Sequence, residues 1–268
     1  MKRIIFIIIL VIALLFLYGK YIETNNIKIR AYVIETNKIP KTFEELKIVH
    51  FSDLLYNKDK KKLDKILKKL NNENADIIIF SGDLFGKNFS YKEEDYNNLK
   101  EFLTKIDASL YKYAVIGDND EKYLDKYKDI LYESGFILLD NESTLLFYKD
   151  NTPINIIGLT NTSNINELFK KDVEYEYNLV ITHKPDLVKE LKIYDIDTVL
   201  SGHSLGGIVN VPYYGGLIKK EGSNTYINDH YIVDNTNLYI NNGLGYNNYE
   251  FRLFNTPSIN IYRFKKDN

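Results

Sequence analysis

The stretch Ile77-Ile78-Ile79-Phe80-Ser81-Gly82-Asp83 sets the fold class of this chain. Four large apolar residues in a row, three of them β-branched, read as a short strand buried on both faces. The run stops at a Gly-Asp turn. In open α/β sheets, ligands gather beyond the carboxyl ends of the strands. Asp83 therefore stands where chemistry is expected, although a lone carboxylate closing a turn is as often a local cap.

The flanking segments repeat the pattern. A strand over 46–51 ends in Ser52-Asp53-Leu54-Leu55, and another over 110–116 ends in Gly117-Asp118-Asn119-Asp120. Between them Leu63, Ile66, Leu67 and Leu70 have helical spacing, predicting a helix over 59–70 with a solvated lysine-rich face. Further helices are predicted over 91–106 and over 122–134, the latter stopped by Gly135. A first strand alternates over 27–34.

In the second half, 136–139, 145–148 and 154–158 read as a run of antiparallel strands, and 164–171 as a short helix. A strand over 178–182 ends in His183-Lys184-Pro185-Asp186, followed by a short helix over 187–193. A strand over 198–201 ends in Gly202-His203-Ser204, and β segments follow at 208–211, 238–240 and 259–264. Alternating βα units followed by strand-rich segments predict a layered α/β sandwich.

The chain has 268 residues and a net charge of -2, so no basic field points to nucleic acid. It lacks cysteine, which excludes disulfides and thiolate ligands. Lys2 and Arg3 precede an unbroken apolar run over 4–18 with no small-x-small cleavage site after it. We read residues 1–22 as a single-pass membrane anchor and 23–268 as one domain. Lys2 and Arg3 place the N-terminus inside and the domain on the extracytoplasmic side. The tyrosines at Tyr213-Tyr214 and over 246–249 read as packing residues with exposed hydroxyls before they read as contacts to substrate or lipid.

Asp53, Asp83, Asp118, His183 and His203 all follow a short apolar strand. Carboxylates and imidazoles grouped in this way are ligands for a divalent ion such as Mn, Fe or Zn. Three carboxylates at adjacent strand ends would repel one another without a cation.

In order and spacing these motifs resemble the calcineurin-like metallophosphoesterases, in particular their bacterial membrane-associated branch. That family reads SD-x-H, GD-x-x-D, GNH-D/E, an H-x-P-D-like block and GH-x-H-G-G-Q. The resemblance runs from about Leu46 to the C-terminus and includes Gly243-Leu244-Gly245 and Arg252. It implies a four-layer α-β-β-α sandwich of two mixed sheets and a pair of metals bridged by Asp83. Asp118, His183 and His203 would complete one site, and Asp53 would belong to the other.

The departures cluster. The family's first-motif histidine is Leu55, its second last-motif histidine is Leu205, and both fall at ligands of one metal. The asparagine ligand is Asp118, and the histidine serving the leaving group is Asn119, with Asp120 the nearest titratable substitute. Asn119 and Asp120 are thus the candidate catalytic positions. These features imply a membrane-anchored phosphoesterase with one well-formed metal site and a phosphoester substrate. The alternative is an inactive pseudo-phosphoesterase that binds metal or ligand. A distant alternative is a serine hydrolase built on Gly202-His203-Ser204-Leu205-Gly206, which matches G-x-S-x-G.

Overall fold

The computed structural model describes residues 1–163, 165–169, 175–246 and 249–266. Helix α1 (Lys2–Leu17) runs through a π-helical turn at Tyr18–Glu23 and leads to strand β1 (Lys28–Glu35). Then come β2 (Lys47–Phe51), α2 (Lys60–Asn71), β3 (Ile77–Phe80), α3 (Glu93–Thr104), β4 (Tyr111–Ala114), α4 (Leu124–Glu133) and β5 (Ile137–Leu138). The second half holds β6 (Glu142–Leu146), β7 (Ile154–Leu159), α5 (Ile165–Phe169), β8 (Asn178–Thr182) and β9 (Thr198–Ser201). After these follow β10 (Asn210–Val211), β11 (Gly215–Gly216), β12 (His230–Val233), β13 (Thr236–Ile240) and β14 (Ser258–Lys265).

Two six-stranded sheets result, in the orders β1-β14-β2-β3-β4-β5 and β12-β13-β9-β8-β7-β6. Both are mixed. β2 to β5 run parallel while β14 is antiparallel to β2; β7, β8, β9 and β13 run parallel with antiparallel neighbours at the edges. Strand alternation explains the layering. On β3, Ile78 and Phe80 face a cluster with α2, α3 and α4, whereas Ile77 and Ile79 face the other sheet. On β8, Leu179 and Ile181 fill that same inter-sheet layer and Val180 faces outward toward Leu168 and Phe169 of α5. Strands buried on both faces need apolar residues at every position, so the uninterrupted Ile77–Phe80 run follows from the layering. The layers run helices, sheet, sheet, helix.

Helix α2 shows how the outer layer is specified. The Asp59 carboxylate caps its N-terminus by accepting from Lys62 N at 3.1 Å. Leu63, Ile66 and Leu70 bury one face while Lys60, Lys61, Lys65 and Lys68 line the other.

Two expectations need correction. β5 pairs parallel with β4 in the first sheet, whereas β6 and β7 are antiparallel in the second. The chain thus changes sheets between Leu138 and Glu142, and 136–158 is no single antiparallel run. The helix expected over 187–193 is a five-residue 3-10 turn, Pro185–Lys189. β12 has no counterpart in the sequence reading. Of the helix expected over 164–171, residues 164, 170 and 171 lie outside the described residues, as do 247 and 248 of the tyrosine segment.

Residues Lys2–Glu23 are long and apolar enough to cross a membrane, and no residue of α1 is buried. At 1.5 Å per residue the segment spans about 33 Å, against a hydrocarbon core of about 30 Å. Its C-terminal end is docked. Gly19, Glu23 and Thr24 are buried, Phe16 stacks on Phe251 at 5.4 Å, and Glu23 accepts from Phe254 N and Thr256 Oγ1. The expected division after residue 22 falls inside this docked segment.

Candidate metal centre

Asp53, Asp83, Asp118, His183 and His203 follow β2, β3, β4, β8 and β9, whose carboxyl ends meet at one edge of the two sheets. Three of these residues leave their strand in the left-handed region, with φ of 47° at Asp53, 61° at Asp83 and 64° at His203. Such backbone is strained for residues other than glycine, and it gathers at functional sites. Each turn is held by the other strands. Asp53 N donates to Gly82 O, and His203 N donates to Asp53 Oδ2 at 2.8 Å. Gly117 lies so close to the Asp83 turn that a Cβ there would stand 2.8 Å from Asp83 Cα.

Asp83, His183 and His203 are buried, and one ligand atom from each lies within 4.8 Å of the others. His183 Nδ1 bonds Ser81 O at 2.7 Å, and His203 Nε2 bonds Glu221 O at 2.7 Å. Carbonyls only accept, so both far nitrogens carry protons and both near nitrogens present lone pairs. Those near atoms, His183 Nε2 and His203 Nδ1, are 3.1 Å apart, with Asp83 Oδ2 3.4 Å from the former. Two lone pairs at that separation need a positive species between them, a proton or a metal. Burial opposes charge on His183, yet the Asp83 carboxylate pushes it up to about 10. Burial likewise raises Asp83, but His183 draws it down to about 2. Burial and then the charge on His183 push His203 down to about 4. Imidazoles oriented by carbonyls on the far nitrogen, with an adjacent carboxylate, fit a divalent cation.

The other half of the expected pair is different. Asp53 is fully buried, with Oδ2 accepting from Ser52 Oγ and His203 N. Its Oδ1 has no hydrogen-bond partner among the described residues. That orphaned oxygen is one ligand for a cation. Its expected neighbours are the buried leucines Leu55 and Leu205. Leu205 Cδ2 lies 2.6 Å, and Asp53 Cβ 2.7 Å, from where a Gly243 Cβ would stand, so the leucine packs beside the carboxylate. Among the described residues, the one cluster of candidate metal ligands is that of Asp83, His183 and His203. Leu55 and Leu205 still sit at φ of 45° and 48°, a conformation costly for leucine.

Asp118 is partly exposed and paired with Lys184 Nζ at 2.8 Å, its other oxygen 3.9 Å from His203 Nδ1. It borders the centre without joining the tight cluster. Asn119 clasps Asp83, donating from N at 2.8 Å and from Nδ2 at 2.6 Å, and so orients that carboxylate. Asp120 is fully buried and accepts from four backbone N–H groups, those of Asp83, Leu84, Phe85 and Gly117. Both its oxygens are occupied inside the protein. As a proton donor it is misplaced, and it acts as a brace for the Asp83 turn.

The sequence reading missed several participants. Lys220 is partly buried and donates to His203 O at 3.0 Å; burial lowers its ammonium's pKa, which Asp53, Asp83 and Asp118 oppose. His50, neutral because burial pushes it down to about 3, bonds Ser81 Oγ behind the centre. Neither has a motif, since folding brings them in. The elbow reading fails. Ser204 Oγ donates to Ile227 O and is buried, a three-residue 3-10 turn and then a hairpin strand follow in place of an α-helix, and His230 pairs with Asn237.

A model of the calcineurin-like phosphoesterases matches residues 46–207, more than half of the chain. The chain belongs to the calcineurin-like phosphoesterase family. The family comprises hydrolases that act on phosphoester bonds with divalent metals. The chain is 26% identical over 265 residues to the metallophosphoesterase YkuE of Bacillus subtilis, covering 94% of this chain and 90% of that one. It is 25% identical over 318 residues to the UDP-2,3-diacylglucosamine pyrophosphatase LpxG of Chlamydia muridarum, covering 93% of each. A transmembrane protein with a metallophosphoesterase domain from Danio rerio is 22% identical over 280 residues, 93% of this chain and 60% of its own. Beside these relatives, one of them named as a transmembrane protein, stands an N-terminal helix long and apolar enough to cross a membrane.

Proposed function

We propose that this protein is a membrane-anchored phosphoester hydrolase that works with one divalent cation. The observation that carries the reading is the convergence of Asp83 Oδ2, His183 Nε2 and His203 Nδ1, with both imidazole tautomers set by backbone carbonyls. Asp83, His183 and His203 would hold the cation, with Asp118 at its edge. When bound, a divalent cation supplies Lewis-acid polarisation of a phosphoryl oxygen. Lys184 and Lys220 place two ammonium groups beside the centre and balance phosphate charge. Asn119 keeps Asp83 aimed inward, and Asp120 holds the turn that presents it.

Residues 1–22 serve as an anchor and 23–268 as the hydrolase domain. The docking of Glu23 and Gly19 supports retention of the helix, because its loss would strip buried contacts. Lys2 and Arg3 favour an extracytoplasmic domain. The diacylated diphosphate in the name of the LpxG relative makes a lipid-linked diphosphate the first substrate to assay. Leu55 and Leu205 favour a second reading, in which the centre binds its ion and chemistry is lost.

The test is elemental analysis of the purified chain beside Asp83→Ala, followed by hydrolysis of bis(p-nitrophenyl) phosphate with added Mn. About one ion per chain, lost in the variant together with turnover, is expected. Metal-independent turnover would overturn the proposal. One ion without turnover on mono- and diesters would establish the second reading.

A further inference from the structure

We propose that the β10–β11 hairpin rests in the headgroup layer of the bilayer entered by the N-terminal helix, and holds the mouth of the metal centre against that surface. The proposal rests on the anchor reading above.

The hairpin tip does not pack. Tyr213 and Tyr214 are 106% and 89% exposed, and Leu217, Ile218 and Phe254 are 59%, 45% and 50% exposed. This contradicts the expectation that these tyrosines are packing residues. A projecting tip of two tyrosines, with two exposed aliphatics at the base of its return limb, gains nothing in water, whereas tyrosine suits the membrane interface, where one end is wet and the other apolar. Lys219 beside them is exposed and suits an anionic headgroup.

The hairpin is tied to the end of the helix. Asn210 N donates to Leu253 O and Leu253 N to Ile208 O. The same short segment meets the helix through Phe251, stacked on Phe16, and through Arg252 N, which donates to Gly19 O. Phe254 N donates to Glu23 at the end of the helix. β10 therefore lies one strand spacing, about 5 Å, from the segment that clasps the membrane helix, and β11 about two.

The hairpin is also tied to the metal centre. Its return limb leads straight to Lys220, which donates to His203 O, and to Glu221, whose carbonyl sets the His203 tautomer. A surface that seats Tyr213 and Tyr214 would thus lie at the mouth of the centre. The ligand class this favours is an amphiphilic phosphoester whose acyl part stays in the bilayer while its phosphate reaches the site.

The chain contains no tryptophan, so Tyr214→Trp makes a single reporter. The full-length variant is reconstituted in phosphatidylcholine–phosphatidylglycerol vesicles containing lipids brominated near the headgroup. Ile9→Trp, within the helix, and Tyr132→Trp, on the remote α4 and 84% exposed, are the references. We expect Tyr214→Trp emission to shift blue and to be quenched about twofold, while Tyr132→Trp is unaffected. Ile9→Trp quenched with Tyr214→Trp unshifted and unquenched would overturn the hairpin proposal alone. Neither quenched would show that the anchor reading has failed and the proposal with it. A second arm compares a vesicle-embedded lipid phosphodiester with soluble bis(p-nitrophenyl) phosphate. Tyr213→Ser/Tyr214→Ser/Leu217→Ser should lose about tenfold on the former and keep the latter. Equal activity of variant and wild type on the embedded substrate would refute the substrate class.

Discussion

Replacing Asp120 by asparagine tests how the Asp83 turn is held. Asp120 Oδ2 accepts from Asp83 N at 2.8 Å and Gly117 N at 3.0 Å, and Oδ1 from Leu84 N at 2.9 Å and Phe85 N at 3.2 Å. Asparagine is the same size but keeps one acceptor oxygen, and its NH2 would face two N–H donors. Hydrogen bonds to a charged group contribute about 1.5–3 kcal/mol each, so losing two costs about 3–6 kcal/mol. Burial and then the Asp83 charge push the Asp120 carboxyl up to about 8 against the pull of these donors, so the substitution also relieves that cost, and the net loss is about 2–4 kcal/mol. For a chain of this size that lowers Tm by roughly 5–10 °C. The turn carries a proposed ligand, so affinity for Mn should fall about tenfold or more as Asp83 loses its setting. Thermal unfolding by circular dichroism in detergent and titration with Mn measure the two effects. Unchanged Tm together with unchanged Mn affinity would refute the brace.

Other consequences are equally direct. His203→Ala should drop metal content from about one equivalent to near zero while the circular dichroism spectrum stays native; full occupancy would remove His203 from the ligand set. Leu55→His with Leu205→His should raise metal content to about two equivalents, because both positions already hold a left-handed backbone beside Asp53. A ratio that stays at one would show that the second pocket is closed by more than these two side chains. Gly117→Ala should destabilise by more than about 3 kcal/mol in urea unfolding, since its Cβ would collide with the backbone of Asp83. Lys62→Met addresses a buried ammonium with no hydrogen-bond partner among the described residues, set over the Tyr246 ring at 4.6 Å. Burial, then Arg252, push Lys62 down to about 8, below its unfolded value. The penalty is full below pH 8 and fades as pH rises toward the unfolded pKa. The variant should therefore gain about 1–2 kcal/mol near pH 7 and little near pH 10. A gain independent of pH would refute the electrostatic account.

Much of this protein is legible one strand at a time. Ile77–Phe80 is apolar at every position because both faces of its sheet are covered, and Asp59, Leu63, Ile66 and Leu70 specify a capped amphipathic helix. These are local signals of period and capping, and they need no partner to be read. Asp53, Asp83, His183 and His203 were visible as a group because each follows such a strand, and parallel strands bring their carboxyl ends to one edge. The exchange of sheets after Leu138 was not legible, since a two-residue strand reads alike whichever sheet receives it.

What only the tertiary structure decided is how the side chains share their bonds. Asp120 and Asp118 are both acidic residues in one turn, yet four backbone amides claim the former and Lys184 the latter. Those amides belong to segments more than thirty residues apart for three of the four. Lys220 and Glu221 reach His203 only because a hairpin returns the chain to it, and Tyr213 and Tyr214 stand clear of the protein for the same reason. Hydrogen-bond partners and exposure depend on what long-range packing leaves nearby, and composition and spacing carry no record of that. Sequence alone therefore determined the strands and the residues at their ends. The fold determined which of those residues converge on one point, which hold the backbone, and which face outward.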